Sequence, residues 1–232
     1  MSAVYRLYSF NESILDSWGE GSAYFLGFAY AEGHLRYSLE PNEVHYCLEI
    51  GLGEKEPLET IRSILGANHP IHERVRKCWR TGTPVTEYRL LISSRYLTEQ
   101  LIKIGFLDKD KFPEVPDEFL RHFVRGLIDG DGCLLKWHII NHEGEAPRAY
   151  DGIKLDIYGR EHFLVELQKR LIATLNLAQR KVSKAPDKEI HRLIIIGQQA
   201  QQLFEWMYMD TQYYLSRKRN KYLDIMTQIK GE

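Results

Sequence analysis

The chain has 232 residues, of which 44% are hydrophobic and 27% charged, and its 31 basic and 32 acidic side chains give a net charge of −1. These values are typical of a globular protein with one large domain or two smaller ones. A net charge near zero excludes binding of nucleic acid through overall positive charge. Basic residues that gather on one face would still allow such binding. No apolar run is long enough for a membrane span. Three cysteines without metal-type spacing, and an N-terminus without a secretion signal, predict an intracellular protein of the cytoplasm or an organelle matrix.

Seven elements are predicted in the first half of the chain. Helices are indicated by apolar residues at helical spacing and strands by alternation. Ser22 is the expected N-cap of the first helix, and residues 106–116 contain two prolines and alternating charge, which predict a linker. The predicted order is a helix at 22–33, strands at 34–40 and 44–53, a helix at 55–66, strands at 70–80 and 86–93, and a helix at 95–105.

The same order of elements is predicted again after the linker. The ranges are a helix at 117–132, strands at 133–142 and 152–158, a helix at 161–175, strands near 179–184 and 190–196, and helical residues from 198 to 229 with a break near Asp210. The expected fold is therefore α+β, with two pseudosymmetric αββαββα halves. We expect one half at 1–105, the linker at 106–116 and the other half at 117–232.

One sequence pattern occurs twice. Phe123-Val124-Arg125-Gly126-Leu127-Ile128-Asp129-Gly130-Asp131-Gly132 predicts an apolar helix with an internal glycine, an acid at its end, and a final glycine able to take a left-handed conformation. An earlier copy, Phe25-Leu26-Gly27-Phe28-Ala29-Tyr30-Ala31-Glu32-Gly33, aligns at a constant offset of 99 residues. A repeat of this kind indicates two copies of one structural unit. In both copies the helix dipole disfavours the final acid, and a bound cation would remove that penalty.

The repeat predicts a shared metal site. If the two helices cross at Gly27 and Gly126, then Glu32 and Asp131 emerge side by side, and two adjacent carboxylates favour a bound divalent ion such as Mg²⁺. Asp129 is interpreted as structural, because its counterpart in the first copy is Tyr30. A calcium loop starting at Asp129 is excluded, because its twelfth residue is Ile140 rather than glutamate. Acidic residues on a solvated turn remain the simpler alternative.

These two segments resemble the paired motifs of the LAGLIDADG homing endonucleases, in their single-chain form with two motifs, and Tyr214-Leu215-Ser216-Arg217-Lys218 resembles the C-terminal signature of that family. The resemblance implies two antiparallel saddle-shaped sheets around a central two-helix interface. It further implies a monomer that cuts both strands of a long double-stranded DNA target and leaves 3′ overhangs. Two or three Mg²⁺ ions would be used, with Ca²⁺ or Mn²⁺ able to substitute in binding. The expected metal site comprises Glu32 and Asp131, with the flanking Ala31, Gly33, Gly130 and Gly132.

The resemblance also implies a basic residue near each acid. Lys218 matches that position for the second half, and either Lys109 or Lys111 for the first half; the sequence does not decide between these two. Many family members have a polar residue, often glutamine, at the end of the second strand of each half, where this chain has Leu52 and Gly159.

The exposed face of each sheet is a candidate DNA surface, because two-stranded β-ribbons fit a DNA groove. Alternation places His72, Arg74 and Arg76 on one face of their strand. For any single residue, a solvated sheet face is the alternative. The remaining candidates are Arg36, His45, Arg80, Arg89, Lys136, His138, Lys154, Asp156, Tyr158, Arg180, Lys181 and Arg192.

Two other functions are compatible with these residues. An RNA maturase, or a non-cleaving member that binds nucleic acid such as intron RNA, would keep the fold without DNA cleavage. A transcription regulator of the same fold would carry a further helix-turn-helix, for which we expect no room after the second half. No residues for intein splicing are evident, so we expect a free-standing endonuclease.

Overall fold

A computed structural model describes residues 7–40, 43–78, 81–141, 148–185 and 190–230. The first half contains α1 (Glu20–Glu32), β1 (Gly33–Glu40), β2 (Glu43–Leu52), α2 (Glu56–Ile64), β3 (Ile71–Lys77), β4 (Pro84–Ser93) and α3 (Arg95–Ile104). The second half contains α4 (Asp117–Asp131), β5 (Cys133–Asn141), β6 (Arg148–Gly159), α5 (Glu161–Leu175), β7 (Ser183–Lys184), β8 (His191–Ile196), α6 (Gln198–Tyr208) and α7 (Ser216–Lys230). Two αββαββα units, the second extended by α7, confirm the predicted α+β fold. No helix in these ranges is long and apolar enough to cross a membrane.

The two motif helices, α1 and α4, pack against each other at their glycines. A Cβ atom on Gly27 would lie 2.0 Å from the carbonyl oxygen of Phe123, and one on Gly126 would lie 2.1 Å from that of Tyr24. Phe123 lies three residues before Gly126, and Tyr24 lies three residues before Gly27. The two close contacts between the helices are therefore related by the pseudo-twofold symmetry of the two halves. Any side chain at either glycine would push the two helix backbones apart.

The ends of these helices differ from the predictions in two details. Gly19, not Ser22, is the N-cap of α1, and the Ser22 hydroxyl instead accepts a hydrogen bond from the Gly19 amide at 2.9 Å. Gly33 and Gly132 end their helices with φ of −80° and −70°, so the expected left-handed conformation is wrong. Glycine is required there for space, because a Cβ would lie 2.5 Å from the Ala29 oxygen and 2.7 Å from the Ile128 oxygen.

Each half has one antiparallel four-stranded sheet, in the order β1-β2-β4-β3 and β5-β6-β8-β7. One face of each sheet is apolar and packs against the helices, with Leu48, Ile50 and Leu90 in the first sheet and Leu155 and Leu193 in the second at most 1% exposed. We call the opposite side of each sheet its outward face. Since side chains alternate along a strand, the register fixes which residues each outward face carries.

The largest boundary differences fall in the second half. β7 is only two residues long where a strand near 179–184 was expected, and β6 begins at Arg148 rather than at 152. The break in the C-terminal helical region is wider than one residue, since it separates Tyr208 from Ser216. Asp210 lies inside this break with φ of 45°, a left-handed conformation that interrupts a helix.

Candidate active site

The repeated acids lie at one end of the α1–α4 interface. Glu32 is the last residue of α1 and Asp131 is the last residue of α4. The helix ends are close here, because a Cβ on Gly130 would lie 2.5 Å from the Ala31 Cβ and 3.2 Å from the Glu32 Cγ. Burial raises the pKa of Glu32, and the nearby Asp131 charge raises it further, while Lys218 and Lys109 act in the opposite direction. Two like charges therefore share a partly buried site.

Two lysines, Lys218 buried and Lys109 partly buried, flank these acids in equivalent positions. The Lys218 ammonium donates hydrogen bonds to the backbone oxygens of Ile128 and of Gly132, the latter at 2.7 Å. The Lys109 ammonium donates to the oxygens of Tyr30 at 3.0 Å and of Gly33 at 2.8 Å. Gly33 and Gly132 are equivalent in the repeat, so each lysine binds the carbonyl that follows its own acid.

The structure distinguishes the two lysines that the sequence left open. Lys111 is largely exposed, with its ammonium 3.7 Å from a carboxylate oxygen of Asp108, whereas Lys109 lies beside the first motif. Burial lowers the pKa of Lys109. Burial also lowers the pKa of Lys218 to about 8. Of the two candidates, Lys109 is therefore the one placed to act at the site.

A pair of clefts repeats the same symmetry. A cleft of about 630 Å³ is lined by Gly33, His34 and Lys109, among others. A second cleft, of about 450 Å³, is lined by Gly132, Cys133, Lys218 and also Asp131. Each cleft thus combines the start of the strand that follows a motif helix with the lysine of that half. Two equivalent openings are what two equivalent substrate groups would require.

The donor set suits a hard divalent cation. Among the residues that the structure describes, no three His, Cys, Asp or Glu side chains form a metal-binding group. Two carboxylates at negative helix ends, one of them with a raised pKa, would nevertheless be stabilised by a cation that completes its shell with water and phosphate oxygens. The carbonyls of Gly33 and Gly132 already accept hydrogen bonds from lysine, and Ala31 and Gly130 contribute mainly close packing.

Asp129 holds the segment that carries Lys218. Its carboxylate is fully buried and accepts hydrogen bonds from the Tyr24 hydroxyl at 2.9 Å, from the Tyr208 hydroxyl, and from the Leu215 amide at 2.9 Å. Leu215 precedes Lys218 by three residues. These contacts are in keeping with the structural interpretation of Asp129.

Arg125 fixes the same segment and was not singled out from the sequence. Its guanidinium is fully buried and donates to the backbone oxygens of Tyr213 and Met207, both at 2.7 Å, and to the Glu20 carboxylate at 2.9 Å. Glu20 in turn accepts from the Gln212 amide at 2.8 Å. A charged residue in the apolar motif helix was the available signal, since a buried arginine requires partners.

The outward face of the first sheet carries a paired cluster of arginines. The register places Arg89 opposite His72 and Arg74 opposite Glu87. Glu87 accepts from Arg74 at 2.6 Å and from Arg89 at 2.9 Å, while Arg89 also contacts Glu49 at 2.7 Å. The glutamates were not identified from the sequence, although Glu87 alternates with Arg89 in β4. The other predicted candidates on this face are Arg36, His45 and Arg76.

The outward face of the second sheet differs from the predicted composition. Lys154, Asp156, Tyr158 and Arg192 share this face. Lys136 and His138 were expected to join them but do not, since they pair with Ile153 and Asp151, on the side that packs the helices. Both contact the Asp151 carboxylate there. The side chains on the outward face of β5 are instead those of Cys133, Leu135 and Trp137.

Three further candidates are also placed elsewhere or not described. Arg180 contacts Gln199 of α6 at 3.4 Å, and its amide donates to Gln168 of α5, so it packs within the helix layer. Lys181 is exposed in the segment before β7, outside the sheet. Arg80 lies outside the described residues.

Leu52 and Gly159 stand at the ends of β2 and β6, where a polar residue was noted as missing. Tyr158, beside Gly159, lines a cavity of about 180 Å³ together with Asp131 and Lys109. Burial raises the pKa of the Tyr158 hydroxyl, and the Asp156 charge raises it further. A polar group is therefore present near the acid of the second half.

Taken together, the chain is a pseudosymmetric two-motif protein whose paired helices end in two acids, and a lysine from another segment lies beside each helix end. No protein-family profile matches the chain, and no curated protein matches it.

Solved structures do match it. One is the homing endonuclease I-WcaI bound to its DNA recognition sequence, with a TM-score of 0.58 and 14% identity over 95% of this chain and 94% of that one. The LAGLIDADG meganuclease I-CpaMI bound to uncleaved DNA gives a TM-score of 0.55 and 13% identity over 91% and 90%. The meganuclease I-AabMI bound to uncleaved DNA gives 0.53 and 14% over 90% of each chain.

These likenesses identify the fold. The chain has the LAGLIDADG fold in its single-chain, two-motif form, and the resemblance carried by the two sequence segments is confirmed at that level.

Proposed function

We propose that the protein is a site-specific endonuclease that hydrolyses both strands of a long double-stranded DNA target and leaves 3′ overhangs. The observation that carries this proposal is the pair of acids, Glu32 and Asp131, each at a helix end and each near an open cleft and a lysine that is buried or partly buried. Similar structures are described as bound to DNA, which supports the same class of substrate. The protein would act as an intracellular monomer, since its two halves, 1–105 and 117–232 joined by 106–116, already supply both sites.

Glu32 and Asp131 would hold the divalent ions, with Mg²⁺ as the natural ion and Ca²⁺ or Mn²⁺ able to support binding. One similar structure is described in the presence of calcium ions. Such ions supply charge neutralisation and activation of water for phosphodiester hydrolysis. The protein contributes the position of the two carboxylates, which the Gly27–Gly126 crossing fixes relative to each other.

Lys109 and Lys218 would stabilise the negative charge that develops on the phosphate of each strand. Each ammonium is immobilised by backbone oxygens at the end of a motif helix, so it needs little reorganisation during the reaction. Lys218 serves the half with Asp131 and Lys109 the half with Glu32. The two cleavage sites are chemically unequal, because one acid is glutamate and the other aspartate.

The test is cleavage of a randomised double-stranded DNA library with Mg²⁺, with Ca²⁺ as a binding-only condition. Wild-type protein should select one long site and cut both strands, and sequencing of the ends should show 3′ overhangs. Asp131→Asn should lower the rate by about 10²-fold or more, in line with several kcal/mol of lost charge stabilisation, while Ca²⁺-supported binding persists. Asp224→Asn, at an exposed acid of α7, is the matched control and should cut normally.

An RNA maturase is the second candidate, because nothing in the acid pair itself distinguishes DNA from RNA. Binding of structured intron RNA, without cleavage of any DNA in the library, would favour it. Cleavage that survives in both Glu32→Gln and Asp131→Asn would overturn the active site proposed above.

A further inference from the structure

The outward faces of the two sheets have different chemistry, although the halves share one fold. In the first sheet this face is rich in arginine, with Arg36, Arg74, Arg76 and Arg89 arranged around two glutamates. In the second sheet the equivalent face carries Leu135, Trp137, Ile194 and Ile196 together with Lys154, Asp156, Tyr158 and Arg192. The central motifs are symmetric, so this contrast is confined to the surfaces that would meet the two halves of a DNA target.

The arginines of the first sheet are preorganised. Glu87 holds Arg74 at 2.6 Å and Arg89 at 2.9 Å, and Glu49 holds Arg89 at 2.7 Å. Glu49 and Glu87 are themselves mostly buried, with side-chain exposures of 10% and 16%. A guanidinium fixed in this way presents its remaining donors in a set direction. Two parallel donors match the O6 and N7 acceptors of guanine in the major groove.

On β5 the second sheet presents apolar side chains, whereas the equivalent strand of the first sheet, β1, presents Arg36. Leu135 and Trp137 are 38% and 42% exposed. Lys154 lies beside them, with its ammonium 4.7 Å above the Trp137 ring and 3.2 Å from the Asp156 carboxylate. An aliphatic or aromatic side chain in the major groove distinguishes one base by contact, and that base is thymine, through its C5-methyl group.

We propose that the DNA target is divided in base composition, with guanines read by the first sheet and thymines by the second. This inference rests on the proposed function, because it assumes that both outward faces lie along double-stranded DNA. The arginine cluster is complementary to the guanine edge and to phosphate. The second sheet holds the equivalent place across the pseudo-twofold axis of α1 and α4, which argues for the other half of the same duplex as the occupant of its outward face.

Base analogues that remove one recognised group each test the proposal on the selected site in Ca²⁺. Deoxyuridine in place of thymine deletes only the methyl group, and each deletion under the second sheet should weaken binding about fourfold, the factor that corresponds to ~0.8 kcal/mol for one buried methylene-sized group. 7-Deazaguanine in place of guanine deletes N7, and under the first sheet it should weaken binding by about five- to 150-fold. Deoxyuridine should have no effect under the first sheet, and 7-deazaguanine should have an effect under the second sheet only at a base that Arg192 contacts.

Protein variants assign each effect to its sheet. Leu135→Ala should abolish the sensitivity to deoxyuridine at one or two positions, and Arg74→Ala should abolish the sensitivity to 7-deazaguanine in the opposite half. Leu223→Ala and Arg95→Ala remove an exposed leucine and an exposed arginine on helices, and both should leave the analogue sensitivities unchanged. Thermal melts check that every variant is folded.

The outcomes separate this inference from the proposed function. If no DNA is bound or cut, the proposed function fails. If a site is cut but both halves have the same base composition, or deoxyuridine has no effect in either half, the inference alone is overturned. Association of the wild-type protein, but not of Leu135→Ala, into a dimer without DNA would assign the apolar face to a second copy instead.

Discussion

A single methyl group at the helix crossing provides the sharpest test of how the site is assembled. In Gly27→Ala or Gly126→Ala the new Cβ would lie 2.0 or 2.1 Å from a backbone oxygen of the partner helix. Real Cβ atoms essentially never come closer than 3.0 Å to such an atom, so the helices must separate by about 1 Å. No side-chain rotation relieves a clash between Cβ and backbone. Overpacking of a well-packed interface costs about 1–3 kcal/mol and occasionally more, and we expect at least ~3 kcal/mol here.

The same substitution elsewhere in α1 should have the opposite sign. In Gly21→Ala the Cβ would meet only side chains, the nearest being Ile64 Cγ2 at 3.3 Å, so the helix propensity of alanine should dominate and add up to ~1 kcal/mol of stability. Gly53→Ala places its Cβ in open space and should change stability by less than ~0.5 kcal/mol. The comparison among these variants therefore isolates the backbone contact.

Urea unfolding at fixed pH measures these differences as shifts in midpoint at constant slope. The double variant Gly27→Ala/Gly126→Ala should lose less than the sum of the single losses, because one separation of the helices relieves both clashes. DNA cleavage should also fall in each single variant, since Glu32 and Asp131 move apart with the helix ends. Stabilities of Gly27→Ala and Gly126→Ala within 0.5 kcal/mol of wild type would refute the crossing geometry.

Three further results are expected. Lys109→Met should slow cleavage of one DNA strand on a denaturing gel at least about tenfold and leave nicked product, while Lys111→Met should cut both strands normally; equal effects would contradict the assignment of Lys109. Burial lowers the pKa of His122 from 6.5 to about 4, and the nearby Arg125 guanidinium, with Nη2 at 3.0 Å from His122 Nδ1, lowers it further. Up to ~3 kcal/mol of the stability present above pH 6.5 should therefore be lost as the pH falls to 4. His122→Gln should lack that loss in urea unfolding measured against pH, and a profile unchanged from wild type would refute this assignment. Mg²⁺ should raise the melting temperature of the DNA complex of wild-type protein but not that of Glu32→Gln/Asp131→Asn, measured by differential scanning fluorimetry; equal shifts would place the ions elsewhere.

The fold could be predicted from the sequence because patterns of neighbouring residues encode its elements. Apolar spacing located the helices, and the repeated glycine and acid located the two-helix interface. The sequence was less able to predict which residues of each strand lie on the outward face. In β5 the polar residues Lys136 and His138 lie on the same side of the sheet as the buried Leu134, where both contact the Asp151 carboxylate of β6. Alternation gives two faces, but only the register with neighbouring strands says which polar residues share one.

The candidate site could be predicted only in part, for a related reason. Its two acids are marked by the repeat, but Lys109 and Lys111 are two residues apart in a segment without periodicity, and only the fold brings one of them to the Gly33 oxygen. Arg125 and Glu20 are 105 residues apart and meet through the helix crossing. Contacts of that separation depend on tertiary packing, which a single sequence does not specify.

One mismatch between the two motifs, Tyr30 against Asp129, is explained by what each residue contacts. Tyr30 and Asp129 occupy the same position of the repeat, with an aromatic ring in one copy and a carboxylate in the other. The Tyr30 ring packs edge-on against Phe106, at 5.2 Å between centroids, and Phe106 precedes Lys109 by three residues. Asp129 accepts a hydrogen bond from the Leu215 amide at 2.9 Å, and Leu215 precedes Lys218 by three residues.

Both contacts therefore fix the segment that delivers a lysine to its helix end, one by aromatic packing and the other by a buried hydrogen bond. Each of these two contacts suits the residues that surround it. Tyr30 also stacks with Phe163 at 5.9 Å in an apolar cluster, whereas Asp129 lies among hydroxyl and amide donors and beside the buried Arg125, where a carboxylate is satisfied. The two halves thus share the geometry of the lysine although different chemistry supports it, so a residue-by-residue comparison of the motifs understates their structural symmetry.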